Sequence, residues 1–248
     1  MVQAMRMAIV SDIHGNLTAL EAVLADLRET APDLVLHGGD LADNGSAPAE
    51  TLDRIRALGW RGVFGNTDEM LFAPEKLKAF ADAQQPGLRP VFAAVEAIAD
   101  AAREALGDER LAWLRGLGAS VAKGPVALVH ASPGDAWRAP PPEASDAVLE
   151  ATFAALDKPV IVYGHIHRPF VRRVGVMVVA NTGSVGLAYD GDPRASYLLI
   201  DDAEGEASPT VRRVAYDVEL ECRRIIERGA PHAEWVAAML RSGRFQMP

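Results

Sequence analysis

The sequence lacks the features on which disulfide-stabilised, membrane-spanning and nucleic-acid-binding proteins depend. Cys222 is the single cysteine, which excludes a framework of intramolecular disulfides. No run of about 18 apolar residues occurs, and no charged segment with an apolar core opens the chain, so we expect no membrane anchor and a cytoplasmic location. Positive charge is scarce, with 25 Lys and Arg against 34 Asp and Glu and a formal net charge of −9. This balance disfavours nonspecific nucleic-acid binding, because phosphate contacts need a surface rich in Lys and Arg.

The length of 248 residues is ordinary for one α/β domain with a large core. Residues 5–11 form an apolar run that favours a strand, and residues 17–29 carry apolar side chains at helical spacing. No internal repeat and no low-complexity linker divides the chain. We therefore expect a single domain over residues 1–248.

Five short segments place residues of the metal-ligand type at the ends of predicted strands. The candidate ligands in these segments are Asp12, His14, Asp40, Asn66, His130, His165 and His167. They include four of the six histidines of the chain. Functional groups in open α/β sheets gather outside the carboxyl ends of the strands, so we expect one polynuclear metal site.

Each segment alone has a second explanation. Asp12 and His14 would lie on one side of an extended chain and bind one cation together, but an Asp-x-His sequence also fits a capped turn. Asn66 can offer a carbonyl oxygen or form an Asx-turn, and a lone strand-end histidine such as His130 is more often structural. Only the combination favours metal binding. His37 is interpreted as a core histidine or as a support for the ligands.

The ordered set D-x-H, G-D, G-N-x-D, a lone strand-end H and G-H-x-H resembles the calcineurin-like metallophosphoesterase superfamily. Within it, the chain is similar to the small prokaryotic branch of YfcE-like and diadenosine-tetraphosphatase-like proteins, from Met7 to about Asp202. The resemblance implies a four-layer α-β-β-α sandwich of the α/β class with a dinuclear metal centre. It assigns Asp12, His14 and His167 to one metal, Asn66, His130 and His165 to the other, and Asp40 to the bridge between them.

The predicted donors suit borderline divalent metals. Imidazole and carboxylate ligands without thiolate favour two transition-metal ions such as Mn, Fe, Zn or Ni, of which we favour Mn. Two such ions convert water to hydroxide for attack on phosphorus and neutralise the transferring phosphoryl group. The resemblance thus implies a metal-dependent phosphoesterase, with Asp40, Asn66 and His130 in its catalytic machinery.

The expected substrate is a small phosphorylated molecule. We expect a phosphodiesterase acting on small phosphodiesters or nucleotides; a monoester or protein phosphatase and a non-catalytic metal-binding scaffold are the alternatives. Thr67 departs from the G-N-H-D pattern of many family members, whose histidine is a candidate acid for the leaving group. A hydroxyl cannot supply that proton, which favours substrates with good leaving groups.

Three residues are candidate substrate contacts. Asn16 follows the first ligand pair and also fits the N-cap of the next helix. Arg168 can offer a bidentate phosphate contact or form a surface salt bridge. Ser184 belongs to a turn that resembles the family's N-P-G-S turn, which would bring backbone amides near the cleft. Trp137 and Arg138, in a proline-rich loop over residues 133–142, are interpreted either as contacts to a base or phosphate or as loop anchors.

Residues 69–118 contain no good strand and several helical stretches, among them 90–106 and 108–117. We predict a helical insert, which either partly covers the metal cleft or forms a peripheral packing layer. Its aromatic residues are interpreted as insert core rather than a base-stacking platform: Phe72, Phe80, Phe92 and Trp113. Terminal helices are predicted over about 217–241.

Overall fold

Two five-stranded mixed sheets form the centre of the computed structural model, which describes residues 5–203 and 206–248. The strands are β1 (Met5–Val10), β2 (Leu34–His37), β3 (Arg61–Gly62), β4 (Ser120–Lys123), β5 (Val126–Val129), β6 (Val160–Tyr163), β7 (Phe170–Val174), β8 (Met177–Asn181), β9 (Ala195–Ala203) and β10 (Glu206–Val214). The first sheet has the order β10-β9-β1-β2-β3 and the second β4-β5-β6-β8-β7. β4 follows directly on the predicted helical insert, and no strand was expected there.

The central strands of each sheet run parallel and end together. β1 pairs with β2 so that Val10 lies opposite His37. In the second sheet, β5 and β8 both run parallel to β6, and Tyr163 at the end of β6 lies opposite Asn181. This register aligns the loops that follow β1 and β2, and likewise those that follow β5 and β6.

The sheets pack face to face through alternating apolar side chains. Met7 and Ile9 of β1 point to the second sheet, whose Leu128 and Val162 fill the same buried core. Successive residues of a strand point to opposite faces, so Ala8 and Val10 of β1 face the helices instead, as does Val129 of β5 on the other side.

Helices cover the outer face of each sheet. They are α1 (Leu17–Thr30), α2 (Pro48–Ala57), α3 (Asn66–Phe72), α4 (Glu75–Asp82), α5 (Arg89–Arg115), α6 (Asp146–Phe153), α7 (Val218–Glu227) and α8 (Ala233–Ser242). Side chains of α1, α2, α3 and α5 pack on the first sheet, and Leu149 and Phe153 of α6 pack on the second. The four-layer α-β-β-α sandwich predicted from the sequence is confirmed.

Local signals account for several helix boundaries. Asn16 caps α1, because its side-chain oxygen accepts a hydrogen bond from Ala19 N at 2.9 Å. Helix α5 spans both predicted stretches and breaks at Gly107, whose φ of 66° only glycine adopts easily. Among the described residues, no helix is both long and apolar enough to cross a membrane.

Candidate metal centre

All seven candidate ligands lie together at one edge of the sandwich. Asp12 and His14 follow β1, and Asp40 follows β2. Asn66 is the first residue of α3, His130 directly follows β5, and His165 and His167 follow β6. The chain order of the ligands thus maps onto neighbouring strand ends, as the sequence predicted.

Four ligands form a first buried donor group: Asp12, His14, Asp40 and His167. Their donor atoms all lie within 4.8 Å of one another. The Nε2 atoms of His14 and His167 are 3.1 Å apart, and Asp12 Oδ1 lies 3.2 Å from His167 Nε2. Metal–ligand bonds to nitrogen or oxygen measure about 2.0–2.2 Å, so one cation can contact donors at such separations together.

Asn66, His130 and His165 form a second donor group around the same carboxylate. Asp40 Oδ2 lies 3.4 Å from His130 Nε2 and 3.8 Å from His14 Nε2. Asn66 Oδ1 lies 3.0 Å from His130 Nε2 and 2.8 Å from His165 Nδ1. Asp40 is therefore the one residue common to both groups.

The backbone brings the ligands together by turning left-handed. Positive φ angles between 52° and 67° occur at Asp12, His14, Asp40, His165 and His167. The expectation that Asp12 and His14 converge on an extended chain is wrong, because both residues occupy this left-handed region. Such angles are uncommon outside glycine, although Asp and His tolerate them better than most residues, and they concentrate at functional sites.

Two glycines let the ligand loops approach each other closely. A Cβ atom on Gly39 would lie 2.4 Å from Gly65 N, and one on Gly164 would lie 2.4 Å from Asp12 Oδ2. A larger residue at either position would push the loops apart, because those distances are far below van der Waals contact. The glycines beside the ligands are thus part of the geometry of the site.

Three histidines are oriented by hydrogen bonds to their outer nitrogen. His14 Nδ1 lies 2.5 Å from Asp43 Oδ1, and His167 Nδ1 lies 2.5 Å from the carbonyl oxygen of Leu187. His130 Nδ1 lies 2.8 Å from the carbonyl oxygen of Gly38. A proton on Nδ1 leaves the Nε2 lone pair free for a metal. Sequence reasoning missed Asp43, although its position three residues after Asp40 was a usable signal.

Asp68 holds the loops that carry Asp40 and Asn66. Its carboxylate accepts hydrogen bonds from the backbone N–H groups of Asp40, Gly65 and Leu41 at 2.8–2.9 Å. Burial and the nearby Asp40 carboxylate raise the pKa of Asp68 to about 7. Asp68 thus orients the loop.

Buried carboxylates stabilise positive charge in both donor groups. Burial opposes a charge on His14, but Asp43 outweighs it and raises the pKa of His14 to about 9. Burial also opposes a charge on His130, yet Asp40 raises the pKa of His130 to about 10. Burial disfavours ionised Asp40 as well, but His130 holds the pKa of this carboxyl well below its usual range. Burial and the nearby His130 instead lower the pKa of His165 to about 4, so the carboxylates favour a charge at His14 and His130 and not at His165.

The donor set fits divalent metal ions. Asp12 Oδ2 is buried and has no hydrogen-bond partner among the described residues, which is costly unless a cation satisfies it. Nitrogen and oxygen donors without thiolate suit Mn, Fe, Zn or Ni. The residues present are thus those that a divalent metal site needs.

The three candidate substrate contacts make contacts within the protein instead. Buried Asn16 caps α1 and donates from Nδ2 to the carbonyl oxygen of Gly186 at 3.0 Å. Buried Ser184 donates from Oγ to the carbonyl oxygen of Asp12 at 2.7 Å. Arg168 forms a surface salt bridge with Glu143 at 2.7 Å. None of the three lines the cavity above the donors, and their role in substrate binding stays a prediction.

A cavity of about 230 Å³ opens directly above both donor groups. Its walls come from α3, α4, α5 and α8 and from the segments around Trp137, Tyr189 and Phe245. Phe80 of α4 and Phe92 of α5 line it, and Phe92 also packs against the core beside the first sheet, as the sequence predicted. Phe72 and Trp113 do pack in the core beside the first sheet. Residues of the 69–118 segment thus line the cavity. This agrees with the predicted arrangement in which the segment partly covers the metal cleft.

The loop that follows β5 forms another wall. Trp137 lines the cavity and donates from Nε1 to Glu69 Oε2 at 2.6 Å. Arg138 lies over the ring of Phe80, with its guanidinium carbon 5.2 Å from the ring centre. A neighbouring cavity of about 380 Å³ reaches His130 and shares Phe80 and Trp137 with the first. Trp137 is thus both a loop anchor and a cavity wall.

Comparison with known proteins finds similarity to phosphoesterases in both sequence and structure. The sequence model of the calcineurin-like phosphoesterase superfamily domain matches residues 5–205. An uncharacterised protein of Methanocaldococcus jannaschii is 28% identical over 265 aligned residues, which cover 98% of this chain and all of that protein. The crystal structure of a metallophosphoesterase from Sphaerobacter thermophilus superposes with a TM-score of 0.78 at 27% identity, covering 97% of this chain and 100% of the other. The symmetrical bis(5'-nucleosyl)-tetraphosphatase of Methylococcus capsulatus is 32% identical over 151 residues, which cover 60% of this chain and 50% of that enzyme.

Proposed function

Because this chain belongs to the calcineurin-like phosphoesterase superfamily and is a phosphoesterase hydrolase, we propose that it is a two-metal phosphodiesterase acting on small phosphodiesters or nucleotides. The observation that carries the proposal is the pair of buried donor groups that share Asp40. Nucleotides enter as candidates because part of the chain is similar to the tetraphosphatase of Methylococcus capsulatus.

The residues have separate tasks in this proposal. Asp12, His14 and His167 would hold one cation, and Asn66, His130 and His165 the other, with Asp40 between them. When bound, such cations neutralise charge on phosphoryl oxygens and lower the pKa of water, and Mn is the ion we favour. Asp43 orients His14, and apolar side chains line the cavity above the donors.

A diester fits the cavity better than a monoester. Among the described residues that line it, none is Lys or Arg, so the walls of this cavity offer no fixed cation to a second phosphoryl charge. A monoester dianion carries that second charge, whereas a diester carries one. Thr67 also lines the cavity, and its hydroxyl donates to Asp43 Oδ1 at 3.2 Å, so no imidazole stands at this position to protonate a poor leaving group.

The test is hydrolysis of bis-p-nitrophenyl phosphate and p-nitrophenyl phosphate by metal-stripped protein. Mn²⁺, Fe²⁺, Zn²⁺, Ni²⁺ and Mg²⁺ are added back separately. We expect metal-dependent turnover that is faster for the diester than for the monoester. The absence of turnover with every metal, or a clear preference for the monoester, would contradict the proposal.

Two variants test whether the turnover takes place at this candidate metal centre. Asp40→Ala should abolish it, because both donor groups lose their shared carboxylate. Asp82→Ala is the matched control, since Asp82 is exposed and pairs only with Lys78 among the described contacts. Unchanged activity in the Asp40→Ala protein would refute the bridging role.

A further inference from the structure

Three aromatic side chains from the C-terminal part of the chain, after β8, form one wall of the cavity above the donors. Tyr189 stacks on His167 with ring centres 4.5 Å apart and planes 17° apart. Phe245 meets Tyr189 edge to face at 5.8 Å, and Trp235 meets Phe245 edge to face at 6.5 Å. We call Tyr189, Phe245 and Trp235 the carboxyl-terminal wall. Trp235 and Phe245 lie beyond residue 205, where the match to the family model ends.

A second aromatic group lines the same cavity. The ring centres of Phe80 and Trp137 are 5.1 Å apart, and those of Phe80 and Phe92 are 6.0 Å apart. We call Phe80, Phe92 and Trp137 the helical wall, because two of the three come from α4 and α5. Aromatic faces and edges favour other aromatic rings and apolar groups, with ring centres about 4.5–7 Å apart.

Polar groups are confined to the metal end of the cavity. They come from the ligands and their neighbours Asp43, Asn44 and Thr67. Between the two walls, the described lining adds only apolar and aromatic residues. A chain of phosphates in that space would lose hydration without gaining a cation, which costs several kcal/mol for each buried charge, to order of magnitude.

The space directly above the donors has the size of a small ring. An apolar cavity of roughly 150 Å³ holds one benzene molecule, and drug-sized ligands occupy about 300–1,000 Å³. The volume of about 230 Å³ lies between these values. It therefore suits one ring or a group of similar size next to a single phosphoryl group.

We infer that this site selects a phosphodiester with one phosphoryl group, one of whose alcohols is an uncharged aromatic group seated between the two walls. The inference rests on the proposed phosphodiesterase function and narrows its substrate. The walls are the specificity-determining elements, and the space between them suits an uncharged ring rather than further phosphoryl groups, because its described lining contains no Lys or Arg. Lys76 and Arg138 line the neighbouring cavity instead.

The first experiment varies only the second alcohol of a diester. Methyl p-nitrophenyl phosphate and phenyl p-nitrophenyl phosphate share a leaving group and differ in the group that the walls would hold. We expect kcat/KM to be about tenfold or more higher for the phenyl ester, mainly through KM, since burial of one ring has an effect of that order. Diadenosine tetraphosphate should be turned over at least about tenfold less efficiently than the phenyl ester.

The outcomes separate the two proposals. Equal kcat/KM values for the methyl and phenyl esters, or a preference for diadenosine tetraphosphate, would overturn the inference while the phosphodiesterase function stands. A lack of turnover of both esters with every metal would overturn the proposed function and the inference with it.

Variants then test the walls directly. Phe92→Ala and Phe245→Ala should each lower the phenyl-to-methyl ratio of kcat/KM at least about threefold. Phe245 is 47% exposed, so that variant tests the wall with little risk to folding. Phe170→Ala is the matched control, because Phe170 packs against Tyr163 on the other side of the second sheet. A ratio that stays the same in both wall variants, or falls equally in Phe170→Ala, would refute the role of the walls.

Discussion

At His14, His130 and His167, the outer ring nitrogen is engaged by the protein and the inner one faces the other donors. Two of the outer partners are backbone carbonyl groups, and only His14 relies on a side chain, that of Asp43. A carboxylate in this position increases the basicity of the imidazole and fixes its orientation. At the scale of single residues, Asp43 is therefore the one of these three hydrogen-bond partners that a point mutation can remove.

The Asp43→Asn variant should bind metal about 10–100-fold more weakly, the usual loss when such an outer partner is removed. The amide has the same shape as the carboxylate but no charge. A weaker affinity in this variant therefore reports the loss of the negative charge and not a change in packing. Calorimetric titration with Mn²⁺ measures the effect. Asp82→Asn is the control, and an affinity equal to that of the wild type in Asp43→Asn would contradict the orienting role.

Thr67 occupies the position at which many family members have a histidine, the candidate general acid that protonates the leaving group. The Thr67→His variant should raise turnover of diesters with poor leaving groups by up to about 10²-fold, the range of general acid catalysis. Turnover of p-nitrophenyl esters should change little, because their leaving group needs no proton. Thr67→Ala, which removes the hydroxyl without adding an acid, is the control. An unchanged ratio of rates between good and poor leaving groups in Thr67→His would refute this explanation.

At the scale of elements, α1 is tied to the two strands that close the first sheet. Asp26 of α1 accepts hydrogen bonds from Tyr197 of β9 at 2.6 Å and from Arg212 of β10 at 2.7 Å. Burial opposes ionisation of Asp26, but the hydrogen bonds from Arg212 and Tyr197 outweigh it and lower the pKa of the carboxyl. The helix that begins beside the ligand His14 is thus held at its far end by a pH-sensitive contact.

The Asp26→Asn variant should lower the free energy of unfolding by about 1–3 kcal/mol at neutral pH, the range for hydrogen bonds to charged groups. A carboxyl whose pKa is lowered on folding contributes stability above its unfolded pKa of about 4 and loses it as the pH falls below that value. The difference between the two proteins should therefore shrink on acidification. Urea unfolding at pH 7 and pH 3.5 measures it, with Glu29→Gln on the exposed side of α1 as control. A difference that is constant with pH would refute the ionic origin of the effect.

At the scale of the whole molecule, one core joins the two sheets. Leu36, Leu128 and Ile200 come from distant parts of the chain and are buried in the same cluster. The candidate metal donors lie at the edge of this sandwich. Loops of the first sheet supply four of them, and loops of the second sheet supply three. We propose on this ground that the chain, including the 69–118 insert and the terminal helices, unfolds as one domain.

The Leu128→Ala variant should lose about 2–5 kcal/mol of unfolding free energy, as is usual when a fully buried leucine leaves a cavity. Thermal unfolding followed by far-UV circular dichroism and by tryptophan fluorescence should show one shared transition, shifted to lower temperature. Val176→Ala, at a side chain that is 94% exposed, should leave the transition in place. Two separate transitions would contradict the single domain.

Local order in the sequence was sufficient to find the five strand-end motifs with their seven candidate ligands, and the family resemblance that these motifs carry implied the sandwich. Each ligand stands within a few residues of an apolar strand, and strand periodicity with strand-end polar residues is a property of short segments. The family match and the two five-stranded sheets confirm the predicted family and fold. Even so, the reason given for the Asp12 and His14 convergence was wrong, since a left-handed turn does not leave a periodic pattern.

Only the tertiary structure decided what lies above the metal donors. The aromatic side chains of the two walls come from six places along more than half of the chain. Only Trp137, in a proline-rich loop, had a sequence signal that set it apart from core. The other five have none: Phe80, Phe92, Tyr189, Trp235 and Phe245. The same holds for Asn16 and Ser184, whose polar groups are engaged by distant backbone carbonyls. Periodicity reports which face of an element is apolar, whereas the identity of the group that meets this face depends on how the whole chain closes.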